Sequence, residues 1–228
     1  MVRPHRTAPT RIGFMCLMLV LLGTGGCAVL GVIADKMPKP PIKARYAGLA
    51  GKQVAIIVWA DRGTRVDYAT LRSELTREVA RKIRMASPAA EELKGTYVVD
   101  AAKVIKWQKD HPEYDGRAID EVGPILAAHT GADRIVYVEL VKFTTRDAMS
   151  DALLKGVAEA NIRVAEITGS KAKVAYEEVG IEALFPDKAP EGVPLSQSVT
   201  IEYVYGGLVN ELTKQIAVRF FTAEADAK

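Results

Sequence analysis

Two runs of apolar residues predict strands that are buried on both faces. Residues 54–60 are apolar throughout, and residues 135–140 are apolar at every position except Glu139. Short runs of this kind, rich in β-branched residues, are typical of strands inside a sheet that carries helices on both sides. The second run follows Gly131 and continues to Phe143, so we expect it to form the centre of the sheet.

Apolar residues that recur every three or four positions predict helices. The first such stripe follows Asp67 and the last follows Ser196 and Ser198, and these residues are the expected helix caps. The stripes are Tyr68, Leu71, Leu75, Val79 and Ile83; Ile119, Val122, Ile125 and Leu126; and Ile201, Val204, Tyr205, Leu208, Leu212, Ile216 and Phe220. Residues 101–109 predict a shorter helix, and Gly131 is expected to end the helix of the second stripe.

Alternation of small and polar residues over positions 157–167 predicts a strand with one solvated face. Thr168-Gly169-Ser170 predicts a hairpin turn, and residues 173–185 predict the return strand. On the return strand, Val179, Ile181, Ala183 and Phe185 are expected to face the interior. Residues 144–156 are largely polar and are expected to form a loop. The element order βαβ(α)αβββα predicts a single layered α/β domain, with a mixed β-sheet and helices packed on the sheet.

The first 26 residues predict an export signal that ends at a cysteine. Three arginines precede an uncharged apolar core at residues 12–22, and a glycine-rich segment leads to Cys27. This end is similar to the lipobox of bacterial lipoproteins, with Thr24 where that motif usually has Leu. Cys27 is therefore the predicted lipidation site. Two alternatives stay open: an uncleaved transmembrane anchor over residues 12–34, or a soluble exported protein.

The remaining chain divides into a tether and a domain. Residues 27–51 contain Pro38, Pro40 and Pro41 together with four basic residues, which predicts an extended and solvated tether. Residues 52–228 form the predicted globular domain. The three arginines of the signal account for the whole excess of 31 basic over 28 acidic residues. The mature chain is formally neutral, so its charge does not indicate nucleic-acid binding.

Residues that carry catalysis or hold metals are scarce in the predicted mature chain. Its histidines are His111 and His129, which have no partner at ligand spacing, and its single cysteine is Cys27. The sequence contains no nucleophile elbow, phosphate-binding glycine loop or dinucleotide fingerprint. Glu177 and Glu178 are adjacent on a predicted strand, so their carboxylates are expected to point to opposite faces. We therefore expect no enzyme activity, no cofactor and no metal.

Four segments resemble a group of bacterial envelope lipoproteins. They are residues 54–57 followed by a charged helix, residues 98–100, residues 130–138 with Gly131-Ala132-Asp133 before the strand, and residues 162–169. The group comprises the curli-secretion lipoproteins and, more loosely, the amino-terminal domain of the Tol-system translocation protein and the lipoprotein activators of peptidoglycan synthases. The resemblance implies an envelope location, lipid anchoring and a role in protein assemblies. It carries no catalytic residues onto this chain.

Two functions from different classes follow from these observations. The first is a membrane-anchored envelope lipoprotein, in the outer membrane and facing the periplasm, that acts as a non-catalytic binding or assembly module for another envelope protein. The second is a periplasmic or cell-wall hydrolase with an unrecognised acid-based site. For the first, Met149, Leu153 and Leu154 in the expected loop 144–156 are the candidate partner-binding residues, and the outer edge of the strand 173–185 is a second candidate. Formation of a homo-oligomer stays open.

Overall fold

A computed structural model describes residues 40–147, 150–196 and 198–224. Its strands are β1 (Gln53–Ala60), β2 (Tyr97–Val98), β3 (Arg134–Asp147), β4 (Ser150–Thr168), β5 (Lys171–Phe185) and β6 (Val193–Pro194). Its α-helices are α1 (Arg62–Asp67), α2 (Leu71–Ala86), α3 (Ala101–Asp110), α4 (Ile119–Thr130) and α5 (Ile201–Ala217). The predicted single α/β domain is confirmed, with a short helix α1 and a two-residue strand β6 added to the expected order.

The strands form one mixed sheet in the order β2-β1-β3-β4-β5, and β6 pairs with the start of β4. The pairs that involve β1 are parallel, whereas β3, β4 and β5 pair in antiparallel fashion. The predicted central strand, β3, lies third of five, and Val136, Val138 and Leu140 are each at most 1% exposed. The sheet is therefore built around the run that the sequence indicated as its centre.

Two layers of helices cover the two faces of the sheet unequally. On one face, α2 and α5 pack against β1, β3, β4 and the inner side of β5, and together they form the larger core. On the other face, α3 and α4 form a smaller core with β1, the first half of β3, the end of β4 and the start of β5. The larger core contains the predicted stripes of α2 and α5 and the alternating residues of β4, namely Leu71, Leu75, Val79, Ile83, Leu208, Leu212, Ile216, Phe220, Ala158, Ala160, Ile162 and Val164.

Helix boundaries differ from the expected caps in two places. Asp61 caps the short α1, where its carboxylate accepts hydrogen bonds from the amides of Gly63 and Thr64. The helix of the first stripe consequently begins at Leu71 rather than after Asp67, with Thr70 at its N-cap position. At the last helix the hydroxyl of Thr200 accepts from the Tyr203 amide at 3.2 Å, so neither Ser196 nor Ser198 is the cap. Several cap-forming residues compete in each segment, and local spacing does not choose between them.

The prediction of a loop at residues 144–156 is wrong. β3 continues to Asp147 and β4 begins at Ser150, so most of this segment extends the ladder, with Thr144 opposite Val157 and Arg146 opposite Leu154. The pairing is irregular after Leu140 and again after Thr144. These β-bulges break the alternation of polar and apolar residues on which the sequence prediction depended, because each extra residue shifts the side chains that follow it.

A bulge also explains the one inward-facing position on β5 that was predicted wrongly. Ile181 and Ala183 are buried as expected, but Val179 is 65% exposed. Gly180 next to it has a φ of +70°, and the pairing with β4 shifts between Ala160 and Ile162 at this point. The bulge places Glu178, instead of Val179, opposite the buried Ile162.

The predicted conformation of Gly131 is confirmed, because this residue ends α4 with a φ of +79°.

Candidate binding surface

The residues proposed from the sequence as sites lie in different environments. Cys27 and Met149 lie outside the described residues. Leu154 is 1% exposed and pairs with Val193, whereas Leu153 is half-buried and pairs with Pro194. Leu154 belongs to the interior, so the predicted exposed pair of leucines is not present as such. A partner contact by Met149 or Leu153 stays a prediction.

A row of charged side chains marks the end of the smaller core on the sheet. Arg163 lies on β4, and its guanidinium contacts Glu177 of β5 at 2.7 Å and Glu139 of β3 at 3.5 Å. Tyr137 lies beside this row, and burial, with the charge of Glu139 adding to it, raises the pKa of its phenol to about 12. The phenol therefore stays protonated at neutral pH and donates a hydrogen bond to the carbonyl of Arg117 at 3.4 Å.

Beyond this charged row, the sheet presents a mixed surface that we call the open face. It consists of two cross-strand rows, Lys142–Glu159–Glu182 and Thr144–Val157–Leu184, with Val141 beside them. Each of these residues is half-buried or exposed, and Val141 and Leu184 are 48% and 41% exposed. The opposite side of the same strands is packed against α5, so half of the sheet has helices on one side only. The open face is apolar at its centre and charged along one side.

The open face continues into the outer edge of β5. In the described part of the chain, β5 pairs with β4 and with no other strand, so one edge of this 15-residue strand has no backbone partner there. Val174 and Val179 are 43% and 65% exposed along the strand, and Leu184 is shared with the open face. An exposed strand edge with apolar side chains is a surface to which another chain can add a strand.

The beginning of the domain is fixed to the inner side of β5 through Glu178. Arg45 contacts this carboxylate at 2.5 Å and Arg219 contacts it at 3.2 Å, while the phenol of Tyr176 donates a further hydrogen bond. Burial acts to raise the pKa of Glu178, but the hydrogen bonds and the two arginine charges outweigh burial and lower it. Tyr46 stacks on Tyr176 at 5.4 Å between ring centroids. The chain therefore enters the domain beside β5.

Adjacent acidic residues on β5 point in opposite directions, as the sequence predicted. Glu177 pairs with Arg163 on the face of the smaller core, whereas Glu178 pairs with Arg219 on the other face.

His111 stacks on Trp107 at 5.0 Å, and His129 lies in the last turn of α4. Within the described ranges, no group of three or more His, Cys, Asp or Glu side chains is arranged to hold a metal ion. None of the helices described is long and apolar enough to cross a membrane.

Comparison with known proteins identifies no family. No family model matches the sequence. No curated protein matches it either. Among solved structures, the chain is similar to a hypothetical protein from Chlamydia trachomatis, with 16% identity over 72% of this chain and 95% of that chain and a TM-score of 0.39. It is also similar to lipoprotein GNA1162 from Neisseria meningitidis, with 16% identity over 72% of this chain and 97% of that chain and a TM-score of 0.38.

A third similar structure is the PelC dodecamer from Paraburkholderia phytofirmans, with 9% identity over 81% of this chain and 94% of that chain and a TM-score of 0.41. These three structures include one named as a bacterial lipoprotein and no curli-secretion or Tol-system protein. The comparisons therefore go no further than a likeness to a lipoprotein. All three TM-scores are low, so the likeness assigns neither a partner nor an activity.

Proposed function

We propose that this protein is a membrane-anchored envelope lipoprotein that acts as a non-catalytic binding or assembly module for another envelope protein. Lipid on Cys27 would hold it in the outer membrane, facing the periplasm. The observation that carries the proposal is the unpaired outer edge of β5 and its continuity with the open face. A segment of the partner adds to β5 as a further strand and places side chains on the open face.

The edge of β5 favours a strand as the docking element. Backbone N–H and C=O groups along an unpaired edge provide affinity in strand addition, while side chains at alternate positions provide selectivity. The bulge at Gly180 interrupts the edge. A second shift of the β4–β5 pairing lies between Val174 and Tyr176, so the regular stretches are 171–174, 176–178 and 181–185. Val174 lies on the first stretch and Leu184 on the last, so a partner strand finds an apolar contact on either one.

The position of the tether agrees with an assembly role near a membrane. Arg45 and Tyr46, which belong to the predicted tether, contact Glu178 and Tyr176 on β5, so this part of the tether lies next to the proposed docking edge. The chain from Cys27 to Arg45 spans at most about 65 Å when it is fully extended. A lipid on Cys27 would keep the contact of Arg45 with Glu178 on β5 within this distance of the membrane, where an envelope partner is accessible.

Site-specific photo-crosslinking in intact cells tests the proposal. A photoreactive residue is placed at Val174, Val179 or Leu184, and the matched controls carry it at Val66 and Met85. The control residues are apolar and highly exposed, at 73% and 67%, but lie on the helices α1 and α2. We expect the three β5 positions to yield one discrete crosslinked species containing a second envelope protein, which mass spectrometry identifies. Equal yields from the control positions would contradict the proposal.

A charge substitution separates docking from folding. Val179→Lys leaves the melting temperature unchanged because the side chain is exposed, but it is expected to reduce the crosslink formed from Leu184 at least fivefold. Met85→Lys is the matched control and is expected to leave that crosslink unchanged. A crosslinked species that contains two copies of this chain and no other protein would replace the proposed partner by self-association.

A further inference from the structure

A groove of about 390 Å³ lies between the helices α1 and α2 on one side and the last turns of α3 and the segment after it on the other. The chain leaves β1 toward α2 on one face of the sheet and leaves β2 toward α3 on the other face. The groove is lined by Arg65, Ala69, Arg72, Ser73, Ile105, Gln108, Lys109, Pro112 and Asp115, which come from both sides of this divergence.

The side chains that line the groove carry more positive than negative charge. Asp115 accepts from Arg65 at 2.6 Å through one carboxylate oxygen and from Arg72 at 2.8 Å through the other. Lys109 makes no hydrogen bond or ion pair with another side chain among the described residues. Three cations against one carboxylate leave two positive charges in the lining of the groove.

Donor groups remain available after the contacts with Asp115. Each arginine uses one terminal nitrogen on this carboxylate, and a guanidinium has five N–H donors in all. The Nε of Arg65 is buried and has no hydrogen-bond partner in the described part of the chain. An unpaired buried donor is unfavourable, so Asp115 alone does not satisfy the whole guanidinium of Arg65.

We propose that this groove binds a phosphate monoester group. A phosphate monoester carries about −1.5 to −2 charge at neutral pH, which matches the two uncompensated positive charges, whereas a carboxylate carries one negative charge. The planar guanidinium fork also fits the paired oxygens of a phosphate. Arg72 and Ser73 belong to the first turn of α2, where the helix dipole adds positive potential and Thr70 makes no side-chain cap hydrogen bond.

The groove is held in shape before any ligand arrives. The segment that carries Asp115 is fixed by Tyr114, which stacks on Trp107 with centroids 5.7 Å apart. Gly116 follows with a φ of +75°, and a Cβ there would lie 3.2 Å from the indole nitrogen of Trp59. Asp115 in turn holds the two arginines in place. Since these groups are already ordered, binding loses little conformational entropy.

Titration of the purified full-length protein with inorganic phosphate, at matched ionic strength, tests the proposal. Binding is followed by calorimetry, with acetate as the carboxylate competitor. We expect phosphate to bind at least tenfold more tightly than acetate, because the charge match is lost with a single negative charge. Equal affinities, or no heat with phosphate, would overturn the proposal.

Two lysines of α3 supply a matched pair of variants. Lys109→Gln removes a cation from the groove, and Lys103→Gln removes an exposed cation that does not line it. Both variants lower the net charge by one, and both are expected to fold. Lys109→Gln should weaken phosphate binding at least fivefold, and Lys103→Gln should change it less than twofold. Equal weakening by both variants would show general charge screening and would overturn the site.

Binding to vesicles of two compositions distinguishes a lipid headgroup from a soluble phosphomonoester as the ligand of the groove. Vesicles that contain phosphatidic acid present a phosphate monoester at a membrane surface, whereas phosphatidylglycerol presents a phosphodiester. Binding to phosphatidic acid that is lost in Lys109→Gln assigns the groove to a lipid headgroup. Binding of inorganic phosphate without preference between the two vesicles assigns it to a soluble phosphomonoester. The photo-crosslinking at β5 involves other residues, so the two proposals fail independently.

Discussion

The carboxylate of Glu178 and the guanidinium of Arg219 lie 3.2 Å apart, and both side chains are 14% exposed. Glu178 belongs to the edge strand β5, and Arg219 follows the last helix, α5. Arg45, near the start of the domain, reaches the same carboxylate oxygen. One acidic side chain therefore joins the edge strand to both ends of the domain.

We predict that Glu178→Gln lowers the free energy of unfolding by about 1–3 kcal/mol, because two arginines lose a charged partner in a half-buried position. Glu182→Gln is the control, since Glu182 lies exposed on the same strand, opposite Glu159. The control should change stability by less than about 0.5 kcal/mol. Urea denaturation measures both variants, and equal losses would contradict a joining role for Glu178.

The ionisation of Glu178 makes the free energy of unfolding depend on pH in a predictable direction. Its pKa is lowered in the folded protein from the ordinary value of 4.5. The stability that it contributes is therefore fully present above pH 4.5 and is lost as the pH falls through the lower folded pKa. Unfolding free energies measured between pH 6 and pH 3 should decline less steeply in Glu178→Gln than in the wild type. Parallel curves would exclude this ionisation as the cause.

Replacing each of two consecutive glycines in α5 by alanine is expected to change the free energy of unfolding in opposite directions. A Cβ at Gly207 would clash with the ring of Phe185, whereas a Cβ at Gly206 meets nothing within 4 Å. Gly207→Ala should therefore lower the free energy of unfolding by about 1–3 kcal/mol through overpacking. Gly206→Ala should raise it by up to about 1 kcal/mol, because alanine is the better helix former. Thermal unfolding of both variants measures the difference, and the same sign for both would contradict the packing of α5 on β5.

Patterns local in sequence predicted the buried strands and the helical stripes, because periods of two and of three to four are visible within one element. The bulges were not predictable in this way. The ladder slips after Leu140 and at Gly180, and each slip depends on the pairing of whole strands. The contacts of Asp115 with Arg65 and Arg72 join residues 50 and 43 positions apart. Since Arg72 also fits a solvated helix face, no local signal indicated the groove.

We predict that Gly131 and Asp133 serve structure and carry no chemistry. Gly131 ends α4 with a φ of +79°, so Gly131→Val should lower the free energy of unfolding by more than about 1 kcal/mol. Gly131→Asn should lose less, since asparagine tolerates this conformation better. The carboxylate of Asp133 accepts the Gln53 amide at 3.0 Å.

Asp133→Asn keeps an oxygen acceptor for Gln53 and should leave stability almost unchanged, whereas Asp133→Ala should lose about 1 kcal/mol. Chemical denaturation measures the series. A stable Asp133→Asn protein that fails to function in cells would support a chemical role for this carboxylate and would favour the hydrolase alternative.

Truncation of Leu154 to alanine is expected to lower the free energy of unfolding much more than truncation of Leu153. Leu154 is 1% exposed, so Leu154→Ala should lower the free energy of unfolding by about 2–5 kcal/mol. Leu153 is half-buried, and Leu153→Ala should cost less than half as much. Thermal unfolding checks both. Similar small losses for the two variants would restore the interpretation of an exposed leucine pair available to a partner.

Lipidation at Cys27 is the last prediction, and it follows from an apolar core that ends in small residues directly before the cysteine. Wild type is expected to incorporate a radiolabelled fatty acid, and Cys27→Ser is expected to incorporate none. Cys16→Ser is the matched control: Cys16 lies inside the predicted signal, so its loss should leave labelling unchanged.

The mature amino terminus separates the lipid anchor from its alternatives. Mass spectrometry should find a chain that begins at an acylated Cys27. A terminus that retains Arg3, with equal labelling of wild type and Cys27→Ser, would contradict lipidation and favour an uncleaved anchor over residues 12–34. An unmodified chain released by osmotic shock would instead favour a soluble exported protein. In both cases a lipid on Cys27 would no longer hold the contact between Arg45 and β5 within about 65 Å of the membrane.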